Sequence, residues 1–152
     1  MSGKPSRISR RFRELRADGR LGLVGYITAG DPDLERTAEF VRALESAGVD
    51  ALELGVPFSD PLADGEVIQR ASERALRAGT TLQGILELAA RLRRSSELPL
   101  VLFSYLNPVL RYGFRRFADD ARAAGADGVL ITDLSVEEAR SEERRVGKEC
   151  RL

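Results

Sequence analysis

The 152-residue sequence contains no histidine and only one cysteine, Cys150. Without histidine, the Ser–His–Asp and Cys–His nucleophilic schemes and histidine-based metal sites are excluded. Acid–base chemistry must therefore come from carboxylates, lysine, tyrosine or the single cysteine. One cysteine also excludes an internal disulfide, which suggests the cytoplasm as the compartment.

An excess charge of one sign and long apolar runs are lacking as well. The 24 basic and 24 acidic residues balance, so the sequence implies no general attraction to nucleic acid or to an anionic membrane. No apolar run approaches the ~20 residues that cross a bilayer. The N-terminus is basic and polar, without the apolar segment of a secretory signal. We therefore expect a cytoplasmic protein without nucleic-acid or membrane partners.

The sequence does contain a repeated alternation of helical and strand patterns. Residues 47–51 (Ala-Gly-Val-Asp-Ala) and 124–128 (Ala-Gly-Ala-Asp-Gly) each join a helix end to an apolar strand. Strands are predicted at residues 21–29, 98–105 and 127–132, and a further one begins at residue 51. About four βα units predict a parallel α/β sheet, and both an open doubly wound sheet and a (β/α)8 barrel fit this pattern. The absence of Gly-x-Gly-x-x-Gly before the first helix of the sheet counts against a dinucleotide-binding sheet.

Three local signals predict where elements begin or turn. Asp31 followed by Pro32 is predicted to cap the helix after the first strand. The residues from Thr80 to Gln83 are predicted to form a capping box. Asn107-Pro108 is predicted to turn the chain after the third strand.

The stretch of residues 51–65 carries most of the candidate chemistry. A short apolar strand holds Glu53, and the proline-stiffened loop after it holds Asp60 and Asp64. Burying an unpaired charge is costly, and many α/β folds place their chemistry at the carboxyl ends of parallel strands. Glu53 and this acidic loop are therefore the first functional candidates. The structural alternatives are a salt bridge for Glu53 and a helix N-cap for Asp64.

This stretch also carries a resemblance to a known family. Leu-Glu-Leu-Gly at residues 52–55 and Pro-Phe-Ser-Asp-Pro-Leu-Ala-Asp-Gly at residues 57–65 resemble the signature of the tryptophan synthase alpha chain. The resemblance covers about residues 12–139. It implies the TIM-barrel family of (β/α)8 folds, with only about the first four βα units present.

The resemblance implies a lyase of L-tryptophan biosynthesis. Its reaction is the reverse aldol cleavage of indole-3-glycerol phosphate to indole and glyceraldehyde 3-phosphate. Glu53 is implied to be the general acid/base that protonates C3 of the indole, and Asp64 to hold the indole N1–H. No cofactor is expected in this chain. Pyridoxal phosphate is expected only in the beta chain, the partner in a heterotetramer of two alpha and two beta chains.

Further roles follow from the same resemblance. The residues implied to line the indole pocket are Tyr26, Phe103, Tyr105 and Leu130. The alternative for these large side chains is ordinary barrel core. The residues implied to face the beta chain are Asp60, Pro61, Asn107 and Pro108. The alternative for them is plain turn formation.

The final segment does not continue the pattern. Residues 1–140 are interpreted as the N-terminal half of a TIM-barrel domain, and the charged residues 141–152 as a tail that is non-native or disordered. The family's phosphate site belongs to the second half of the barrel. We therefore expect the chain by itself to be inactive, a truncated fragment that at most binds the beta chain. A module that only modulates the beta chain, and another phosphate-binding barrel enzyme, are the other hypotheses.

Overall fold

The computed structural model describes residues 6–134 of the chain. Within them helices and strands alternate, with helices α1 (Arg7–Ala17), α2 (Leu34–Ser46), α3 (Glu66–Arg77), α4 (Leu82–Arg93), α5 (Leu106–Tyr112) and α6 (Phe114–Ala123), and strands β1 (Val24–Thr28), β2 (Ala51–Gly55), β3 (Leu100–Ser104) and β4 (Gly128–Ile131). In this part of the chain no helix combines the length and apolar character needed to span a bilayer. The predicted tail at 141–152 lies outside the described residues.

The four strands form one parallel sheet in the order β1-β2-β3-β4. A doubly wound sheet reverses its strand order at a switch point, whereas the strands of a (β/α)8 barrel follow one another around the sheet. The observed order therefore removes the doubly wound alternative. It confirms the predicted α/β fold, in which the described strands correspond to half of a barrel.

One face of the sheet packs against the helices and forms the core. Because side chains alternate along a strand, Leu52 and Leu54 of β2 point to the same side as Leu100 and Leu102 of β3, and all four are fully buried. They pack against apolar residues of α2, α4, α5 and α6. Each such leucine contributes about 1.5–3 kcal/mol through burial. Polar chemistry on this sheet must therefore lie on the opposite face.

The first strand is shorter than predicted. Pairing with β2 begins at Val24, opposite Ala51. Leu21 and Leu23 precede this register and are 97% and 60% exposed. The apolar run from Leu21 therefore predicted too long a strand, because strand pairing begins only where β2 lies alongside.

The predicted cap of α2 was wrong by two residues. Asp33, not Asp31, precedes the helix, and its carboxylate accepts a hydrogen bond from the Arg36 N–H at 2.8 Å. Asp31 instead accepts two hydrogen bonds from the Arg74 guanidinium, at 2.8 and 2.7 Å. Asp31 therefore joins the loop after β1 to α3.

The capping signal of α4 was displaced by one residue. Thr81 caps the helix, and its hydroxyl accepts a hydrogen bond from the Gly84 N–H at 3.1 Å. Thr80 is buried instead, with its side chain against Gly30. The two adjacent threonines thus have different roles, one as a cap and one in packing.

The predicted turn at Asn107-Pro108 was also wrong. Both residues lie in the first turn of α5. Proline is tolerated there because the first N–H groups of a helix have no partner within the helix. The N–H of Leu106 donates to the Asp133 carboxylate at 2.7 Å, so a side chain from beyond β4 caps this helix.

The aspartates of the internal repeat tie α1 to the sheet. Asp50 and Asp127 each accept a hydrogen bond from a backbone N–H of a neighbouring segment, at 2.7 and 3.0 Å. Arg11 pairs with Asp50 at 2.6 Å, and Arg7 pairs with Asp127 at 3.1 Å. The repeated Gly-x-Asp pattern therefore provides two anchors for one N-terminal helix.

Asp50 should make stability depend on pH. The N–H of Leu23 and then the Arg11 guanidinium hold the pKa of Asp50 below its ordinary value, although burial opposes them. A lowered folded-state pKa gives stabilisation that is complete above the unfolded value of about 4 and is lost as the pH falls through the folded value. Asp50→Asn is expected to lower the urea midpoint at pH 7, and by less at pH 3.

The matched control for this prediction is Asp18→Asn, at the exposed C-terminus of α1. It should change the midpoint little at either pH. Circular dichroism at both pH values provides the measurement. An equal loss for Asp50→Asn at pH 7 and pH 3 would show that the carboxylate charge is not responsible.

Candidate active site on the open face of the sheet

The open face of the sheet carries one predicted site residue from each strand. Tyr26 of β1 is in register with Glu53 of β2, and Phe103 of β3 is in register with Leu130 of β4. Glu53 is the central residue of its strand and is half-buried. It therefore lies two residues before the carboxyl end at which the sequence placed it, but on the face that the helices leave open.

Two aromatic rings form a packed pair on this face. Tyr26 and Phe103 meet edge to face, with ring centroids 5.3 Å apart and planes at 79°. The Tyr26 ring lies against Gly55 between them, where an added Cβ atom would be 2.2 Å from the tyrosine hydroxyl oxygen. The missing side chain at Gly55 therefore leaves the space that the Tyr26 ring occupies.

This contact leads to a testable prediction for Gly55→Ala. The added methyl group should push the Tyr26 ring aside, with a cost of about 1–3 kcal/mol in unfolding free energy. In a Tyr26→Ala background the same change should cost less than about 0.5 kcal/mol, because coupled residues are non-additive. Urea denaturation of the unsubstituted protein, the two single variants and the double variant gives the four free energies of this double-mutant cycle.

Gly65→Ala is the matched control, because no atom lies within 4 Å of a Cβ added there. Its effect on the unfolding free energy should be the same with and without the Tyr26 ring. An equal cost for Gly55→Ala with and without the Tyr26 ring would contradict the proposed contact.

Asp64 lies on the loop between β2 and α3 and is half-buried. The residue at the N-cap of α3 is Gly65, which has no side-chain cap. The alternative in which Asp64 caps the helix is therefore wrong. The loop is instead held from β3, since the Tyr105 hydroxyl accepts a hydrogen bond from the Ala63 N–H at 3.0 Å.

Both candidate carboxylates raise the pKa of the same group, the Tyr26 hydroxyl. Burial raises the pKa of Tyr26, the negative charges of Asp64 and Glu53 raise it further, and a hydrogen bond with Thr28 opposes them. Both carboxylates are therefore close enough to Tyr26 to affect the pKa of its hydroxyl. The salt bridges within residues 6–134 do not include Glu53, so its structural alternative finds no support there.

The other predicted lining residues differ in exposure. Leu130 is 39% exposed on the open face, beside Phe103. Tyr105 is only 4% exposed and lies just beyond β3, with its ring 5.3 Å from that of Phe58. Tyr105 is therefore directed toward the acidic loop, whereas Leu130 belongs to the open sheet face. Their binding roles stay predictions.

The predicted partner-facing residues follow neighbouring strands. Asp60 and Pro61 lie on the loop after β2, where Asp60 is exposed and accepts a hydrogen bond from Ser59 at 2.5 Å. Asn107 and Pro108 lie in α5, directly after β3. Both pairs thus follow the carboxyl ends of adjacent strands, and their contact with a partner stays a prediction.

Sequence reasoning missed Gln69. Its side-chain amide donates to the backbone carbonyl oxygens of Asp64, at 2.9 Å, and of Pro61, at 3.4 Å. Its position in the first turns of α3 was the only available signal, and no motif marks a residue that reaches back to the preceding loop. The structure shows this contact because it places the loop over the start of the helix.

Comparison with known proteins gives consistent matches. A family model described as the tryptophan synthase alpha chain matches residues 12–149. A tryptophan synthase alpha chain from Solibacter usitatus is 59% identical over 136 residues, which are 90% of this chain and 51% of that relative. The chain spans about half the length of the curated relatives it matches.

Solved structures agree with the sequence matches. The crystal structure of tryptophan synthase subunit alpha from Legionella pneumophila has a TM-score of 0.88 and 44% identity, covering 92% of this chain and 54% of that one. A chain in a tryptophan synthase complex from Pyrococcus furiosus has a TM-score of 0.75 and 45% identity, covering 79% of this chain and 50% of that one. Both similarities extend over most of the described sheet and helices.

Proposed function

Because the chain belongs to the tryptophan synthase alpha chain family, we propose that it supplies the two carboxylates for cleavage of indole-3-glycerol phosphate. The products are indole and glyceraldehyde 3-phosphate, in a lyase step of L-tryptophan biosynthesis. The observation that carries the proposal is geometric: Glu53 is in register with Tyr26 on the open face, where the Tyr26 ring meets that of Phe103. The loop that holds Asp64 is bonded to Tyr105, just beyond the neighbouring strand.

In this proposal Glu53 moves both protons. It protonates C3 of the indole ring, which gives an indolenine cation. It then accepts the proton of the side-chain hydroxyl as the aldehyde forms and the bond between C3 and the side chain breaks. The bonding electrons return to the ring, so that indole is released and Glu53 regains its proton. A positioned carboxyl group is suited to both steps.

Asp64 stabilises the intermediate. Its carboxylate accepts a hydrogen bond from the indole N1–H, where positive charge develops after C3 is protonated. A preorganised anion at such a position lowers the barrier because it need not reorient during the reaction. The half-buried position of Asp64 beside Tyr26 is consistent with this role.

The indole ring is proposed to bind on the open face of the sheet, against the aromatic pair. A planar apolar ligand fits a surface of large apolar side chains with a few polar groups at one end. The lining residues in this proposal are Tyr26, Phe103, Tyr105 and Leu130. The edge-to-face pair of Tyr26 and Phe103 provides two ring surfaces for such a ligand.

The proposal assigns no cofactor to this chain, because the indole ring itself accepts the electrons of the broken bond. Pyridoxal phosphate is assigned to a partner beta chain. The match to a chain of a Pyrococcus furiosus tryptophan synthase complex supports such a partner. We propose that the residues Asp60, Pro61, Asn107 and Pro108 face it, within a cytoplasmic heterotetramer of two alpha and two beta chains.

A second proposal concerns the 152-residue chain alone. It spans about half the length of its curated relatives. Binding energy from a remote part of a substrate helps to position the reacting centre. If the phosphate is held by the second half of the barrel, the chain alone is inactive and at most binds the beta chain.

Both proposals are tested by growth of a bacterium that lacks its own alpha chain, on medium without tryptophan. One strain expresses the 152-residue chain. Another expresses a hybrid in which residues 1–134 are followed by the second half of the Solibacter usitatus relative. The hybrid is expected to support growth, and the chain alone is expected to co-purify with a beta chain without supporting growth.

A folded hybrid that fails to support growth would overturn the catalytic proposal. Growth with the 152-residue chain alone would overturn the second proposal. Circular dichroism of the purified proteins shows which of them are folded. Growth of the hybrid on medium with added indole controls for an intact beta chain in the host.

A further inference from the structure

We infer that Tyr105 and Gln69 are positioning residues that hold the turn of residues 61–64 from two sides and so fix the place of Asp64. The inference deepens the proposed function and rests on it for its catalytic meaning. The contacts themselves can be tested without any turnover. In this role Tyr105, which is also proposed to line the indole site, acts through the acidic loop.

Tyr105 holds the turn from the sheet side. Its ring is almost fully buried and packs against Phe58 at the start of the loop, with the two planes tilted by 37°. Its hydroxyl oxygen accepts the hydrogen bond of the Ala63 N–H at 3.0 Å. The phenol thereby contacts the loop at both ends, once through the ring and once through the oxygen.

The Asp64 carboxylate also affects the Tyr105 hydroxyl. Burial raises the pKa of Tyr105, and the carboxylates of Asp64 and Asp133 raise it further, although the Ala63 N–H opposes them. Tyr105 therefore stays protonated at neutral pH. The phenol thus accepts a hydrogen bond from Ala63 and is influenced by the carboxylate of the next residue.

Gln69 holds the turn from the helix side. Its side-chain amide donates to the carbonyl oxygens at both ends of the turn, those of Pro61 and Asp64. Within the turn, the Asp64 N–H donates to the Pro61 carbonyl oxygen at 3.2 Å. Gln69 is exposed, so burial of apolar surface does not account for its position. Its contacts are directed to the loop backbone.

The two side chains together preorganise the site. Tyr105 follows β3 and Gln69 belongs to α3, so the loop is fixed to two elements of the scaffold. Catalytic groups are most effective when supporting residues lock their geometry before the substrate binds. Five of the ten loop residues 56–65 are exposed, so burial of side chains holds only part of this loop.

The first test is amide hydrogen exchange by NMR in the 152-residue chain. Tyr105→Phe keeps the ring but removes the acceptor, so exchange at the Ala63 N–H should accelerate by about tenfold, as expected for loss of one hydrogen bond. Gln69→Leu removes the donor to the carbonyl oxygens of Pro61 and Asp64 and so loosens the turn. Exchange at the Asp64 N–H, which donates to the Pro61 carbonyl oxygen within that turn, should accelerate by about the same factor. Exchange of the amides in the sheet should be unchanged, and this result would show that the fold is intact.

Two matched controls are available. Tyr112→Phe removes a hydroxyl that donates to Asp120 at 2.7 Å, and Gln83→Leu removes an amide that donates to Glu87 at 3.0 Å. Neither contact involves the acidic loop. Both variants should leave exchange at residues 63 and 64 unchanged.

The second test separates positioning from general packing. Asp64→Asn should lower the titration midpoint of Tyr105, followed by NMR of tyrosine labelled with ¹³C at Cζ, and should leave that of Tyr112 in place. Unchanged exchange at Ala63 in Tyr105→Phe, unchanged exchange at Asp64 in Gln69→Leu, or an unmoved Tyr105 titration in Asp64→Asn would overturn the inference. These readouts are independent of indole release, so a failed catalytic proposal would be recognised separately.

Discussion

Replacing Glu53 by glutamine is expected to lower the rate of indole release by the hybrid protein by about a thousandfold, the middle of the range for loss of a general acid/base. Glutamine has nearly the same size and shape as glutamate, but its amide group cannot donate a proton to C3 or accept one from the hydroxyl. The fold should be unaffected, because Glu53 has no ion pair within the described part of the chain.

Glu66→Gln is the matched control for this substitution. Glu66 is an exposed residue at the start of α3, and its carboxylate pairs with Arg70 on the helix surface. Indole release should stay within about twofold, because exposed ion pairs contribute little. A Glu53→Gln hybrid that retains a tenth or more of the activity would show that Glu53 is not the acid/base.

Gly30→Ala is expected to cause the largest loss of stability, about 3 kcal/mol in unfolding free energy, from backbone strain and overpacking together. Gly30 has φ = +86°, a region that residues with a side chain rarely adopt. An added Cβ would lie 1.9 Å from the Thr80 hydroxyl oxygen and 2.7 Å from the Thr80 Cβ. Thr80 is buried and short, so it cannot move aside.

Gly79→Ala separates the two contributions. Gly79 has φ = +81°, but no atom lies within 4 Å of a Cβ added there. It should cost only about 1 kcal/mol, from the backbone alone. Urea denaturation of both variants gives the comparison. Equal losses would show that the contact between Gly30 and Thr80 does not matter.

The fold was predictable because its main signals are local and repeated. Alternating helical and strand patterns predicted the parallel sheet, and the Gly-x-Asp repeat marked the strands that begin at Ala51 and Gly128. The limits of elements were less predictable. Leu21 and Leu23 are as apolar as strand residues, but strand limits depend on which neighbour lies alongside, and the sequence does not show this.

Single residues near element ends were the other source of error. Asp31 and Asp33 are equally good caps by residue type, but Asp33 provides the cap and Asp31 pairs with Arg74. Those partners are distant in sequence. A local pattern therefore identified the presence of a cap but not the residue that provides it.

The site was predictable only in part. Glu53 and Asp64 attracted attention as carboxylates in an apolar and proline-rich stretch, and the resemblance supplied their expected roles. The support of the loop by Gln69 and Tyr105 depends on how α3 and β3 approach it in space. Such contacts leave no spacing rule in the sequence, because both partners reach a loop whose path is set by the fold.

The initial rate of indole release from indole-3-glycerol phosphate by the purified hybrid tests the central claim most directly. Residues 1–134 then provide both carboxylates, and the relative provides the remaining barrel. The account predicts a rate within about tenfold of that of the full-length relative, a difference of about 1.4 kcal/mol in the activation barrier. A folded hybrid no faster than its Glu53→Gln variant would contradict the account.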